Sequence, residues 1–139
     1  MTINYNAFGI DPRKGKCLKV IFKATKCKDY DAEVLKCYDG SNGLVMKAQN
    51  AIFNYAGKVL TIPYCEDEYI EFELDIAKDE GNKKRYIRPW LDGVPAGVSL
   101  YSSADEFETI DNTSIVIGSN DCDICLYMIK LYETSLTDD

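Results

Sequence analysis

The chain has no histidine and only one tryptophan, Trp90, among its 139 residues. Without histidine, the commonest general base and the commonest metal-binding side chain are missing, which excludes histidine-based catalysis and histidine-ligated metal sites. Bases are in deficit: 16 Lys and Arg stand against 23 Asp and Glu, for a net charge of −7. Sequence-independent binding to DNA or RNA needs a basic face, so this balance argues against a nucleic-acid partner. No apolar run reaches the ~18 residues of a membrane-spanning helix, so no membrane insertion is expected. The first residues, Met1 to Asn6, lack the basic and apolar regions of a secretory signal. The chain is therefore expected to work where it is made, to leave by another route, or to be a module of a larger protein.

Apolar residues are plentiful, at 46%. That fraction favours a packed core over disorder, and the length fits a single domain over residues 1–139. Internal repeats, low-complexity segments and linkers are absent. Residues 1–14 read as an N-terminal arm or a first edge strand. Six cysteines are present. Cys17, Cys27 and Cys37 fall ten residues apart, Cys65 stands alone, and Cys122-Asp123-Ile124-Cys125 is a C-x-x-C. A structural zinc site needs a second such pair or histidines. A thioredoxin-like site needs the motif at a helix start, whereas here it opens a strand. Cys17, Cys37 and Cys125 are expected to be small buried residues in strands. An even count permits disulfides without revealing their connectivity.

The patterning is that of strands. Tyr69 to Ala77 alternates cleanly, with Ile70, Phe72, Leu74 and Ile76 on one side and Glu71, Glu73 and Asp75 on the other, so one face of this strand is buried. Shorter strands are expected at Lys16–Thr25, Ala32–Tyr38, Leu44–Lys47, Ala51–Tyr55 and Val59–Ile62, with turn residues between them. Lys78 to Lys84 reads as a charged loop. Arg85–Asp92 and Ala96–Tyr101 form a hairpin around Asp92-Gly93, a dipeptide that accepts positive φ. Thr113–Gly118 and Ile124–Tyr132 close the chain. The last strand has apolar groups on both faces, which predicts a central position. About ten strands and no amphipathic helix give an all-β fold, a two-sheet antiparallel sandwich.

Three constellations could carry chemistry. In the hairpin, alternation sets Tyr86, Arg88, Trp90 and Asp92 on one face, with Ser99 and Tyr101 joining them from the return strand. An aromatic platform beside a planar cation and a carboxylate suits a sugar, whose C–H face lies on the indole while its hydroxyls bond the charged groups. The competing reading is cross-strand packing of Trp90 and Tyr101 on a half-covered sheet. Pro89 favours an edge or bulge, which keeps this face near open surface. The second constellation, Glu71, Glu73 and Asp75, could serve glycoside hydrolysis or simply form a solvated face opposed by lysines. The third, Asp39, Asn42, Asn120, Asp121 and Asp123, offers hard oxygen ligands for calcium but is equally good turn chemistry. Tyr38, Tyr55, Tyr64 and Tyr69 read as rim contacts or half-buried sheet residues.

The C-terminal pattern extends the reading. Asp92-Gly93, then Ile117-Gly118-Ser119-Asn120-Asp121-Cys122, then Ile129-Lys130-Leu131-Tyr132 with Leu136-Thr137 resembles the laminin-G-like, concanavalin A-like jelly roll, with Trp90 at the hairpin aromatic. The resemblance is closer to modules in tail and minor structural proteins of phages infecting Firmicutes, through Cys27-Lys28-Asp29-Tyr30-Asp31, Val34 to Cys37 and Lys47-Ala48-Gln49-Asn50-Ala51. It spans about residues 17 to 137. It implies a jelly-roll sandwich that binds, often to glycans, as one domain of a larger protein, and it supplies no diagnostic calcium motif. Laminarinase-type hydrolases share that fold, but Glu-Phe-Glu-Leu-Asp departs from their E-x-D-x-x-E array and their tryptophan-rich cleft is missing. The resulting expectation is a non-enzymatic module without a cofactor, in a phage tail, baseplate or fibre assembled in the host cytoplasm. Its partners would be cell-surface glycans and other virion proteins, and a homo-oligomer through a free sheet edge is compatible with the pattern. The alternatives are a structural decoration domain and a small glycoside hydrolase.

Overall fold

The structure, a computed structural model, describes residues 2–4, 17–38, 43–55, 57–79, 84–96, 100–102 and 114–132. Within them lie twelve strands and no helix: β1 (Thr2–Asn4), β2 (Cys17–Thr25), β3 (Glu33–Tyr38), β4 (Gly43–Lys47), β5 (Asn50–Tyr55), β6 (Lys58–Pro63), β7 (Ile70–Asp79), β8 (Lys84–Leu91), β9 (Val94–Pro95), β10 (Leu100–Ser102), β11 (Ser114–Ile117) and β12 (Asp123–Tyr132). They form two antiparallel sheets. The first runs β1-β11-β3-β4-β5-β6. The second runs β10-β8-β7-β2-β12, with β9 beside β8. The expected two-sheet jelly-roll sandwich is the fold. The chain reaches it by crossing between layers: β3 to β6 meander through one sheet, β7 to β10 through the other, and β11 and β12 return to one each.

Alternation decides which side chains meet between the sheets. On β2, Leu18, Val20, Phe22 and Ala24 are buried while Lys19, Ile21 and Lys23 point away; on β7, Ile70, Phe72 and Leu74 are buried. Leu35, Cys37, Leu44, Met46, Ala51, Phe53, Leu60, Ile62, Ile115 and Ile117 close on them from the other sheet. Each fully buried Leu or Phe contributes about 1.5–3 kcal/mol relative to exposure, so this interior sets the fold. Phe22 also meets Tyr64 edge-on, with ring centroids 5.7 Å apart.

The last strand departs from the expectation. Among the described residues β12 lies at the edge of its sheet, paired only with β2, and Tyr127 is 75% exposed. Its apolar residues occupy both parities because the register slips between Leu126 and Met128. Before this bulge Ile124 and Leu126 face the core; after it Ile129 does. The sequence shows the sum of the two phases, which mimics a strand buried on both sides. Two further readings change. Cys125 is exposed, not buried, whereas Cys37 is buried. The segment from Lys78 is ladder before it is loop, since Lys78 pairs Arg85 and Asp79 pairs Lys84. β1 is an edge strand on β11.

Candidate functional site

The hairpin forms as its turn dictates. Asp92 and Gly93 have φ of 52° and 80°, the left-handed pair that suits the twist of a two-residue hairpin. Asp92 is tied to the neighbouring strand: its N–H donates to the Glu71 carbonyl at 2.8 Å and its Oδ1 accepts from the Glu71 N–H at 2.9 Å. Pro89 explains why the return strand is broken. Its carbonyl accepts from Ala96 N–H at 2.9 Å, so its nitrogen points to the same side, where no donor is available. β9 ends there at Pro95, and β10 resumes with the register moved by two, Leu100 opposite Ile87 instead of Trp90 opposite Pro95.

Register then builds the outer face of the second sheet, on the side away from the core. Across β2, β7, β8 and β9 runs the row Lys19, Glu73, Trp90, Pro95; beside it Asp75 stands opposite Arg88. Neighbouring strands lie about 4.8 Å apart, so these residues are lateral neighbours. Lys19 Nζ lies 2.5 Å from Glu71 Oε1 and 3.4 Å from Glu73 Oε1. The hydrogen bond to Glu71 raises the Lys19 pKa above its ordinary value, with desolvation opposing and the Glu71 and Glu73 charges reinforcing. Lys23 Nζ stands 5.0 Å from the centre of the Tyr69 ring, a cation–π contact, and Tyr69 is 57% exposed. Asp75 is completely buried although it belongs to this outer face, opposite the half-buried Arg88.

Of the six hairpin residues singled out by sequence, Arg88 and Trp90 are half-buried on this outer face and Asp92 is exposed at its tip. Tyr86 and Tyr101 are opposite one another in the ladder; their side chains, and Ser99 altogether, lie outside the described residues. Trp90 is not sealed between the sheets. Its Nε1 is buried without a hydrogen-bond partner among the described residues. What the ring presents is therefore area, not a donor. Lys19, Lys23 and Tyr69 complete the face. The two lysines were legible in the alternation of β2 but carry no signal until β2 is known to pair with β7.

The acidic strand is an ion cluster. Lys19 sits between Glu71 and Glu73, in the space where a glycosidic oxygen would have to lie for the two to act as a hydrolytic pair. Of the proposed calcium loops, Asp39 and Asn42 lie outside the described residues. Asp121 N–H donates to Ser119 Oγ at 3.2 Å, and Asp123 pairs with Lys26 at 3.8 Å. Among the described residues no three carboxylate or thiol groups converge as a metal site would require. A concavity of about 460 Å³ opens at the β11–β12 turn, lined by Ile117, Gly118, Ser119, Asn120, Asp123 and Ile124 among others. Sequence singled out Asn120 and Asp123 in it as candidate calcium ligands, but not the cleft itself, because a cleft between a turn and a strand has no periodic signature.

No family model matches the chain, and no curated protein matches it. A solved structure does. The sandwich is similar in fold to a carbohydrate-binding module, the CBM40 of the Ruminococcus gnavus IT-sialidase, solved bound to α2,3-sialyllactose. The TM-score is 0.56 at 13% identity, over 88% of this chain and 78% of that one. At that identity the likeness is one of backbone architecture, and it places no ligand on any side chain here.

Proposed function

We propose that this chain is a non-enzymatic carbohydrate-recognition module, reading glycans on the outer face of its second sheet. The observation that carries the proposal is Trp90, the sole indole, half-exposed on that face next to Arg88 and the Lys19–Glu71–Glu73 cluster. Tyr69, immediately before β7, stands four residues from Glu73, the partner of Trp90, and one strand over, a separation of roughly 14 Å from strand geometry. Two aromatic surfaces with charged hydrogen-bonding groups between them suit an oligosaccharide better than a single sugar. The fold likeness to a carbohydrate-binding module supports the class of ligand. The setting in a phage tail, baseplate or fibre, with host-surface glycans as the target, rests on the sequence resemblance.

A glycan array that includes bacterial cell-wall polysaccharides, followed by calorimetry on the hits, tests this reading. The expected result is binding that weakens at least tenfold in Trp90→Ala and less in Tyr69→Ala, with both variants folded. No glycan bound by the wild type, together with host-cell adsorption unchanged in Trp90→Ala, would overturn it.

A further inference from the structure

The two ends of the C-x-x-C do not belong together. Three residues along a strand are about 10 Å and reverse the facing, so Cys122 turns into the core while Cys125 is exposed. Cys122 has another neighbour. The β2–β12 ladder runs from Cys17 opposite Tyr132 to Thr25 opposite Asp123. Beyond it Lys26 adopts a φ of 54°, and the next inter-strand bond is Lys28 N–H to the Asp121 carbonyl at 2.8 Å. That bond joins the residue after Cys27 to the residue before Cys122. In antiparallel pairing this bond is one of the two that flank a non-hydrogen-bonded pair, and it sets Cys27 beside Cys122 at the end of the ladder. The left-handed Lys26 supplies the one-residue bulge that moves the register.

We propose that Cys27 and Cys122 are a disulfide site that braces the end of β2 against the β11–β12 turn. Facing residues on antiparallel strands hold their Cα atoms about 4.5–5.5 Å apart, inside the ~4.4–6.8 Å window a disulfide accepts. The two thiols are close enough to act on one another electrostatically. Both are reduced in this structure, with Cys122 in the core cluster and Cys27 packed against it, half-buried. Cys122 Sγ donates to the Glu33 carbonyl at 3.1 Å, a bond that oxidation gives up. Cys122 also lines the cleft at this turn, so the brace fixes one wall of it.

Oxidation needs a small-molecule disulfide such as oxidised glutathione. The Cys27 thiolate attacks one sulfur of the oxidant and expels a glutathione thiolate. The Cys122 thiolate then attacks the Cys27 sulfur of the mixed disulfide and expels the second. Two protein thiols lose their protons, the oxidant takes two electrons, and two reduced glutathiones leave. Burial, with Glu66 hydrogen-bonded to the thiol and Cys122 beside it, pushes the Cys27 thiol up to about 12. The reaction is therefore slow at neutral pH and speeds up with alkali.

The test uses the full chain carrying Cys65→Ser and Cys125→Ser, which remove the two exposed thiols among the described residues. It is incubated with oxidised glutathione at mildly alkaline pH, then analysed by intact mass, non-reducing peptide mapping and thermal melting. The expected product has lost two hydrogens, joins the Cys27 and Cys122 peptides, and drops in Tm by about 10 °C on reduction. Cys27→Ala in the same background keeps the buried Cys122 and must abolish this product. Folded protein that stays at full mass, a map joining another pair, a product that survives Cys27→Ala, or a cross-link that leaves Tm unchanged would each overturn the proposal.

Discussion

Trp90 presents opposite properties at its two ends. Its ring gives the outer face of the second sheet a broad apolar surface, while its Nε1 is buried and unpaired among the described residues. A sealed, unsatisfied donor costs about 1–3 kcal/mol. Trp90→Phe removes the donor and gives up part of the area, so denaturant unfolding should place this variant within about 1 kcal/mol of the wild type, with glycan affinity falling less than in Trp90→Ala. The second residue-scale expectation concerns alkali. Cys27 is raised from 9.0 to about 12, and Tyr64, buried with its hydroxyl donating to the Lys47 carbonyl, is raised above its ordinary 10.0, in both cases chiefly by desolvation. The folded state holds these protons after the unfolded chain has released them. Stability is therefore fully present below about pH 9 and is lost as pH rises towards 12. Thermal melts across that window should show a falling Tm, and Cys27→Ala should flatten the fall. At this scale the outward turn of Trp90 was legible, because alternation from Ile87 to Leu91 depends on nearest neighbours alone. The burial of Asp75 was not, since alternation alone sets it on the outer face. The Cys27–Cys122 pairing was not either, since it depends on a one-residue bulge between segments far apart in sequence.

Elements were legible where turn chemistry and alternation agree. The β8–β9 hairpin is the clearest case: Asp92-Gly93 demands positive φ, and both residues have it. Gly93 has no atoms within 4 Å of where a Cβ would sit, so Gly93→Ala meets no clash and its cost is backbone strain alone. That strain is about 1–2 kcal/mol for an L-residue at left-handed φ, to be read as a lower denaturant midpoint at unchanged m-value. Asp92→Ala should cost at least as much, because it adds the loss of the Oδ1 bond to the Glu71 N–H, and Asp92→Asn should recover most of it. β12 shows the opposite situation. Its bulge between Leu126 and Met128 superposes two inward phases, so its composition resembles a central strand while its pairing among the described residues makes it an edge. Pro89 lies between these cases. It announced an irregular neighbour, and the structure supplies one, but not where the return strand would resume.

At the scale of the whole molecule, the local meanders β3–β6 and β7–β9 are joined by pairings between the two ends of the chain. β1 lies on β11 and β2 lies on β12, so neither sheet is complete until the C-terminal third has arrived. Closing such long loops costs entropy before the buried contacts repay it, which places sandwiches of this kind among the slow two-state folders. The single tryptophan makes this measurable. Trp90 sits on β8, in a hairpin that could form early, but its surroundings include Glu73 of β7, which is held in turn against Lys19 of β2. If the sheets close in one cooperative step, tryptophan fluorescence and far-UV circular dichroism recover together in stopped-flow refolding, on a scale of about milliseconds to seconds. Val20→Ala, on the buried face of β2 between its two partner strands, should destabilise by about 0.5–3 kcal/mol and shift both probes equally. Fluorescence recovering well ahead of the dichroism would instead mean that the β7–β9 hairpin and its indole form as a separate unit, with β2 and β12 docking afterwards.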